Sequence, residues 1–291
     1  MIRRNLLKAI ALGGTSLALG RLDGHAMESF SLPALKGNIN HSVCSWTYNF
    51  LSLEELCIQI KKIGFSAIDL VGPKDWDTLK KNGIDSSMCN GAEISLTKGW
   101  NDPQYHANLV QSYETHIELV AKAGYKNLVC FSGNRNGMDD DVGLKNTVGG
   151  LKKIMSLAEK KNVTIQMELF NSEVDHKDYM ADSSDWGIKV CQQLDSPNFK
   201  LLYDIYHMQI NEGDVIRTIQ NNHQYFGHYH TAGVPGRNEI DDSQELYYPA
   251  IVKAILATGY KGYVAQEFIP TGKTNADKIA ALKKAIKICD V

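Results

Sequence analysis

The sequence has no CxxC pair and no cysteine/histidine cluster at metal-ligand spacing. Its six cysteines (Cys44, Cys57, Cys89, Cys130, Cys191 and Cys289) are therefore read as structural, not as a thiolate metal site or a redox motif. Three of them fall in strand-like runs, where cysteine behaves as a small apolar filler. Charge of one sign is not in excess: 31 Lys and Arg stand against 33 Asp and Glu, a net charge of −2. No basic face is implied, which argues against a nucleic-acid partner. Low-complexity tracts, internal repeats and a linker that would set off a second domain are also missing. The one sustained apolar stretch, near the N-terminus, is too short and too rich in glycine to span a membrane.

That stretch has a different meaning. Met1-Ile-Arg-Arg-Asn-Leu-Leu-Lys8 is basic, the following segment to Gly20 is apolar, and Gly24-His25-Ala26 offers a small-residue exit. This is the pattern of a signal peptide, and the Arg3-Arg4 pair before Leu6-Leu7-Lys8 resembles a twin-arginine export signal. The expected organisation is a signal peptide over residues 1–26, a linker over 27–37 and one folded domain over 38–291. The mature protein would be periplasmic and free of the membrane. About 265 residues remain after the leader, enough for one large α/β domain with a substantial core.

From residue 38 onward short β-rich runs alternate with helix-period segments. Strands are expected at Ile39–Cys44, Ala67–Val71, Ser87–Glu93, Asn127–Phe131, Val163–Leu169, Lys200–Tyr206, Phe226–Thr231 and Tyr263–Phe268. Ser52-Leu-Glu-Glu55 opens a helix as a capping box, with Leu53, Leu56, Ile60 and Ile63 on one face. A short helix is expected near Trp76–Lys81, and further ones near Tyr105–Ala123, Leu144–Lys161, Asp182–Gln193, Asp214–Asn222, Tyr248–Thr258 and Asn275–Ile288. Gly64, Gly83, Gly124 and Gly259 each stand between a helix and a strand, where a left-handed C-cap is needed. Eight strands in strict alternation with helices point to a single-domain (β/α)₈ TIM barrel. A doubly wound open sheet would seldom need eight such units, and no GxGxxG opens the first crossover. Asp139-Asp-Asp141 lacks the alternation of a calcium loop and is expected in a solvated loop.

Chemistry in such a barrel sits at the C-terminal ends of the strands. The fifth strand ends at Glu168, the sixth at Asp204, the seventh carries His228 and His230, and the eighth carries Glu267. A carboxylate closing an apolar run needs a cation or a shifted pKa, since an unpaired buried charge costs several kcal/mol. One strand-end Glu is ordinarily a salt-bridge partner. Four ligands in register on successive strands are a much less ordinary coincidence. Glu168, Asp204, His230 and Glu267 form a hard, oxygen-rich set with one nitrogen, suited to Mn²⁺ or Mg²⁺ and compatible with Co²⁺ or Zn²⁺. His230 lies nearer the catalytic end than His228, which is given a structural role. His207, three residues beyond Asp204, is a candidate for binding substrate or for a supporting hydrogen bond. Arg237, in the following loop, either holds a substrate oxygen or is an exposed loop residue. Trp46, at the end of the first strand, either walls the pocket or packs at its rim.

The segment Tyr203-Asp-Ile-Tyr-His-Met-Gln209 resembles the signature of hydroxypyruvate isomerases, within the wider xylose isomerase-like family. The strands carrying Glu168, Gly227-His228 and Glu267 follow that family's order and spacing. The resemblance covers nearly all of residues 38–291, with its specific motifs in the second half. It implies Glu168, Asp204, His230 and Glu267 as ligands of one divalent ion, and Glu168 and Glu267 as catalytic carboxylates. It implies His207 and Arg237 as binders of substrate oxygens. Hydroxypyruvate isomerases place a Gln where this chain has His230, as ketose 3-epimerases do, and they lack an export signal. The loop around Arg237 also departs from the pattern.

The implied activity is isomerisation of a small 2-keto or aldehyde hydroxy compound, hydroxypyruvate and tartronate semialdehyde or an aldose and ketose, by proton transfer through a cis-enediolate. The alternatives within that chemistry are a ketose 3-epimerase or an enzyme acting on 3-keto-glycosides. An apurinic-site endonuclease of the endonuclease IV type would need further histidines from strands three and four, which offer Cys89, Asn90, Glu93 and Phe131-Ser-Gly133 instead. A non-catalytic sugar-binding barrel would show the loss of one of the paired carboxylates, and both are present. The expected partner is a small sugar or hydroxy-keto acid, and a homo-oligomer is compatible with the sequence.

Overall fold

Eight short strands close on themselves, each hydrogen-bonded in parallel to its neighbours in chain order and the first to the last. In the computed structural model, which describes residues 35–291, they are β1 (Asn40–Cys44), β2 (Ala67–Val71), β3 (Asp85–Cys89), β4 (Asn127–Cys130), β5 (Thr164–Glu168), β6 (Phe199–Asp204), β7 (Phe226–Thr231) and β8 (Tyr263–Gln266). The connecting helices are α1 (Leu53–Ile63), α2 (Trp76–Asn82), α3 (His106–Ala123), α4 (Asp140–Lys161), α5 (Ser184–Leu194), α6 (Ile205–Asn211), α7 (Val215–Asn222), α8 (Tyr248–Ala257) and α9 (Asn275–Cys289). This is the (β/α)₈ barrel expected from the alternation of strand and helix patterns. The leader expected over residues 1–26, and most of the linker after it, lie outside the described residues. No described helix is long and apolar enough to cross a membrane.

Local chemistry sets the helix ends. Ser52 and Glu55 make the full capping box at the start of α1. Gly64, Gly83 and Gly124 take positive φ, 111°, 64° and 86°, where a β-carbon would clash with the backbone. Along β5, Ile165 and Met167 are fully buried in the core around the barrel and alternate with Thr164 and Gln166 before Glu168. All six cysteines are buried and free, as their spacing implied.

Three expectations shift. The third strand begins at Asp85, not Ser87, and ends at Cys89, so Glu93 lies in the loop beyond it. Its polar start hid it: Ser86 and Ser87 are buried because their hydroxyls find acceptors inside the protein, Met88 O and Asp69. The sixth strand stops at Asp204, because Asp204 Oδ1 accepts from the Tyr206 and His207 amides and starts α6 there. Asp139–Asp141 is not a loop. Asp139 caps α4 by accepting from the Asp141 and Val142 amides, and Asp140 and Asp141 sit in its first turn, where the helix dipole favours acid.

Candidate functional site

Register decides which side chains meet. Asp204 of β6 stands directly beside His230 of β7. Glu168, the last residue of β5, pairs at the level of Leu202, two residues before Asp204. Glu267 follows the last residue of β8, and its amide donates to Thr231 O at 2.9 Å. The four side chains converge so that one ligand atom from each lies within 4.8 Å of all the others, and all four are buried. The sequence-derived ligand set is therefore one cluster in space.

His230 sits at its centre. Its Nδ1 lies 3.0 Å from Glu267 Oε2, to which it is hydrogen-bonded, and 3.0 Å from Glu168 Oε1. Glu168 Oε1 and Asp204 Oδ2 are buried acceptors with no hydrogen-bond partner. Orphaned oxygens of this kind are rare in folded proteins and call for a missing partner. A divalent cation suits these oxygens in donor chemistry, since three carboxylates and one imidazole make a hard set. His230 also joins two neighbouring groups, with Cys44 and Glu267 and with Asp69 and His228. Cys44 is a poor ligand there, because burial pushes its thiol well up and keeps it protonated.

The three carboxylates differ in their surroundings. Glu267 accepts from Trp46 Nε1 (2.9 Å), His230 Nδ1 (3.0 Å) and Arg237 Nη2 (2.6 Å). Burial alone would raise its pKa, but the positive His230 and Arg237 outweigh that and hold it well below the usual range. In the ion-free cluster, burial pushes Glu168 up despite His230. Burial, reinforced by the Glu267 charge, pushes Asp204 well up. Two carboxylates with opposite perturbations beside one pocket mark a site for acid–base chemistry.

Arg237 is not an exposed loop residue. Its guanidinium lies against the faces of Trp46 (5.1 Å) and Tyr206 (5.5 Å) and reaches to 3.7 Å from Asp204 Oδ2. Its backbone is in the left-handed region, φ 59°, tied to Gly233 O through its amide and to the Ile269 amide through its carbonyl. A β-branched or bulky side chain at such a φ is strained, and such strain gathers at functional sites. Trp46 walls the pocket and also holds Glu267. His207 is fully buried at the start of α6, not at an open lip. Its Nδ1 accepts from Asn171 Nδ2 at 2.6 Å, which leaves the proton on Nε2. That Nε2 has no partner and lies 3.6 Å from Asp204 Oδ2.

The cavity above the cluster measures about 530 Å³, in the range of small-molecule sites. Glu168, Glu267 and Arg237 form its polar end, and Leu70, Ile94, Leu96 and Phe131 its apolar walls. Three residues near it carried no role in the sequence reading. Asn171 orients His207, and its side-chain oxygen accepts from the Val174 and Asp175 amides. His176, also in the cavity wall, stacks on Phe170 at 4.2 Å. Asp69 is a fully buried carboxylate in the run Ala67-Ile-Asp-Leu-Val71. An acid inside an apolar strand is the same signal that drew attention to Glu168, but it falls mid-strand instead of at the end. His228, expected to be structural, bonds Asp69 through Nε2 at 2.5 Å.

The family of xylose isomerase-like TIM barrels matches residues 59–288. A 2-oxo-tetronate isomerase of Cupriavidus necator is 34% identical over 119 residues, which cover 41% of this chain and 45% of that one. This chain thus spans under half the length of that relative. The hydroxypyruvate isomerase of Escherichia coli is 24% identical over 253 residues, 83% of this chain and 96% of that protein. Among solved structures, a D-psicose 3-epimerase from Clostridium cellulolyticum crystallised with D-tagatose superposes with a TM-score of 0.73 at 17% identity, covering 86% of this chain and 98% of that one. That likeness carries the fold alone. With the matched segment running from within α1 through β8 into α9, and leaving out β1, this chain belongs to the xylose isomerase-like TIM barrel family.

Proposed function

We propose that this protein is a divalent-metal-dependent isomerase of the hydroxypyruvate isomerase type, moving a proton between adjacent carbons of a small hydroxy-keto compound through a cis-enediolate. The observation that carries the reading is the pair Glu168 and Glu267, each with an oxygen 3.0 Å from the same imidazole nitrogen at the polar end of the cavity. Two relatives, named for isomerases of 2-oxo-tetronate and hydroxypyruvate, support it. Glu168, Asp204, His230 and Glu267 would hold the ion, Mn²⁺ or Mg²⁺ before Co²⁺ or Zn²⁺ on hardness. What such an ion supplies when bound is polarisation of the substrate carbonyl.

The chain's own residues divide the rest. Glu168 has the less satisfied carboxylate, its Oε1 having no hydrogen-bond partner, so it removes the carbon-bound proton. Glu168 then returns that proton to the neighbouring carbon, which completes the isomerisation, while Glu267, held ionised by Trp46 and Arg237, is placed to take up a proton on the opposite face, as inversion at one carbon would need. The free His207 Nε2–H donates to a substrate oxygen. Arg237, the buried cation of the cavity, faces the substrate's carboxylate, which favours a keto acid over a neutral ketose. A ketose 3-epimerase is the second reading. It is favoured by His230, which stands where hydroxypyruvate isomerases resemble one another in having Gln. We also propose, on the residues of the leader alone, that the chain is exported.

The test is NMR in D₂O of the Mn²⁺-loaded protein, with hydroxypyruvate and a panel of ketoses, read after removal of the ion. Deuterium at C3 of hydroxypyruvate with formation of tartronate semialdehyde is expected, and Glu168→Gln should abolish both. Inversion at C3 of a ketose would move the assignment to the epimerase. Near-normal turnover by Glu168→Gln would sink the mechanism.

A further inference from the structure

Beneath the proposed metal cluster lies a second polar layer that the proposed chemistry does not use. Asp69 of β2 accepts from the hydroxyls of Ser42 on β1 and Ser87 on β3 through Oδ1. Through Oδ2 it meets His228 Nε2 at 2.5 Å and His230 Nε2 at 3.0 Å, both on β7. β2 and β7 are not neighbours in the sheet, so these contacts cross the barrel interior. All five side chains are buried. Barrel interiors are ordinarily filled by branched apolar residues, so a charged layer in this place has a cause other than packing.

The backbone is shaped around Asp69. The pairing of β2 with β3 shifts register on both sides of it, between Ile68 and Asp69 and between Asp69 and Val71. The next residue, Leu70, takes φ 60°, a conformation that costs a non-glycine residue on the order of 1 kcal/mol or more. Bulges of this kind re-aim a side chain next to an active site.

We infer that Asp69 is a positioning residue for the metal ligand His230. It holds a proton on Nε2, so that Nδ1 is the nitrogen that gives up its proton when an ion binds and turns its lone pair toward Glu168, Asp204 and Glu267. An ionised carboxylate only accepts and has about four lone-pair sites. His230 Nε2 lies 3.0 Å from Asp69 Oδ2, so it must present hydrogen, not a lone pair, to that oxygen. The other polar group near Nε2 is Cys44 Sγ at 3.8 Å, a weak partner that does not compete with a carboxylate. Carboxylate–histidine pairs of this type orient metal-bound imidazoles and raise their basicity.

The inference rests on the metal reading, and the experiment separates the two. Binding of Mn²⁺ to wild type, Asp69→Asn and Ser87→Ala is measured by titration calorimetry, with thermal stability followed in parallel. Wild type is expected to bind, Asp69→Asn to bind roughly 10–100-fold more weakly, and Ser87→Ala, which leaves the His230 bond intact, to bind as wild type. Equal Mn²⁺ affinity in wild type and Asp69→Asn overturns the role of Asp69, even if Asp69→Asn melts earlier, since a structural acid would move stability alone. Wild type that binds no ion overturns the metal reading and this inference with it. If Asp69→Asn does not fold, ¹⁵N NMR of wild type loaded with Zn²⁺ decides. The His230 proton is expected on Nε2 with the ion at Nδ1, and the opposite tautomer refutes the inference.

Discussion

Asp204→Asn should make the ion-free protein more stable and the ion-loaded protein less so. Asp204 Oδ1 caps α6 by accepting from the Tyr206 amide at 2.8 Å and the His207 amide at 3.3 Å, and asparagine keeps that oxygen. Oδ2 has no hydrogen-bond partner, with Arg237 Nη2 no nearer than 3.7 Å. A buried acceptor left in that state costs about 1–3 kcal/mol. The substituted amide can turn a donor toward Glu267, whose carboxylate converges on the same cluster. For a domain of this size each kcal/mol is about 2–4 °C in Tm, so the ion-free variant should melt roughly 2–12 °C higher near neutral pH. In excess Mn²⁺ the order reverses. An ion at 100 times its Kd adds about 2.7 kcal/mol to the wild type, while the variant has lost one of four ligands.

The pH dependence has a definite sign. Burial and the Glu267 charge raise Asp204 well above its ordinary value. Its favourable contribution is therefore complete below the unfolded pKa, about 3.9, and is lost as pH rises through the folded one. The advantage of Asp204→Asn should vanish near pH 4 and grow toward pH 8. Melting curves with EDTA and with Mn²⁺ across that range are the assay. An ion-free variant less stable than wild type at pH 8, or one stabilised by Mn²⁺ as much as wild type, would refute the reasoning.

Two neighbouring glycines of α4 should respond in opposite directions. A β-carbon at Gly149 meets nothing within 4 Å, so Gly149→Ala gains the helix preference of alanine, about 0.5–1 kcal/mol. At Gly150 it would lie 2.6 Å from His106 Nε2 and 2.8 Å from Trp100 Cε3. His106 is itself bonded to Trp100 O at 2.8 Å, so neither ring can retreat. Overpacking there costs about 1–3 kcal/mol. Urea midpoints decide, and a Gly150→Ala protein more stable than wild type contradicts the packing argument. For the leader, replacing both Arg3 and Arg4 by Lys should retain the chain in the cytoplasm of an expressing cell. Unchanged distribution on fractionation refutes a twin-arginine route.

Much of the barrel was legible in the chain because its signals are local. Apolar runs of four to six residues, capping boxes and left-handed glycines announce each strand and helix within a single turn. Glu168, Asp204, His230 and Glu267 stood out for the same reason, since each interrupts or closes an apolar strand near its C-terminal end. β3 was placed two residues late because Asp85 and Ser86 read as loop, although Ser86 is buried with its hydroxyl bonded to Met88 O. Asp139–Asp141 is exposed as expected, but it read as loop because capping depends on the turn that follows, not on the charge run itself.

Which of the ionisable groups meet, and on what terms, belongs to the closed barrel. Arg237 is an ordinary loop arginine until the turn at φ 59° lays it between Trp46 and Tyr206 and against Glu267. Asp69 and His230 are 161 residues apart and touch across the interior of a sheet in which their strands are not neighbours. Strand type and ligand type follow from residue preferences within a few positions of the chain. Distances of 3 Å between side chains far apart in sequence follow from strand register and barrel closure, which short-range pattern does not encode.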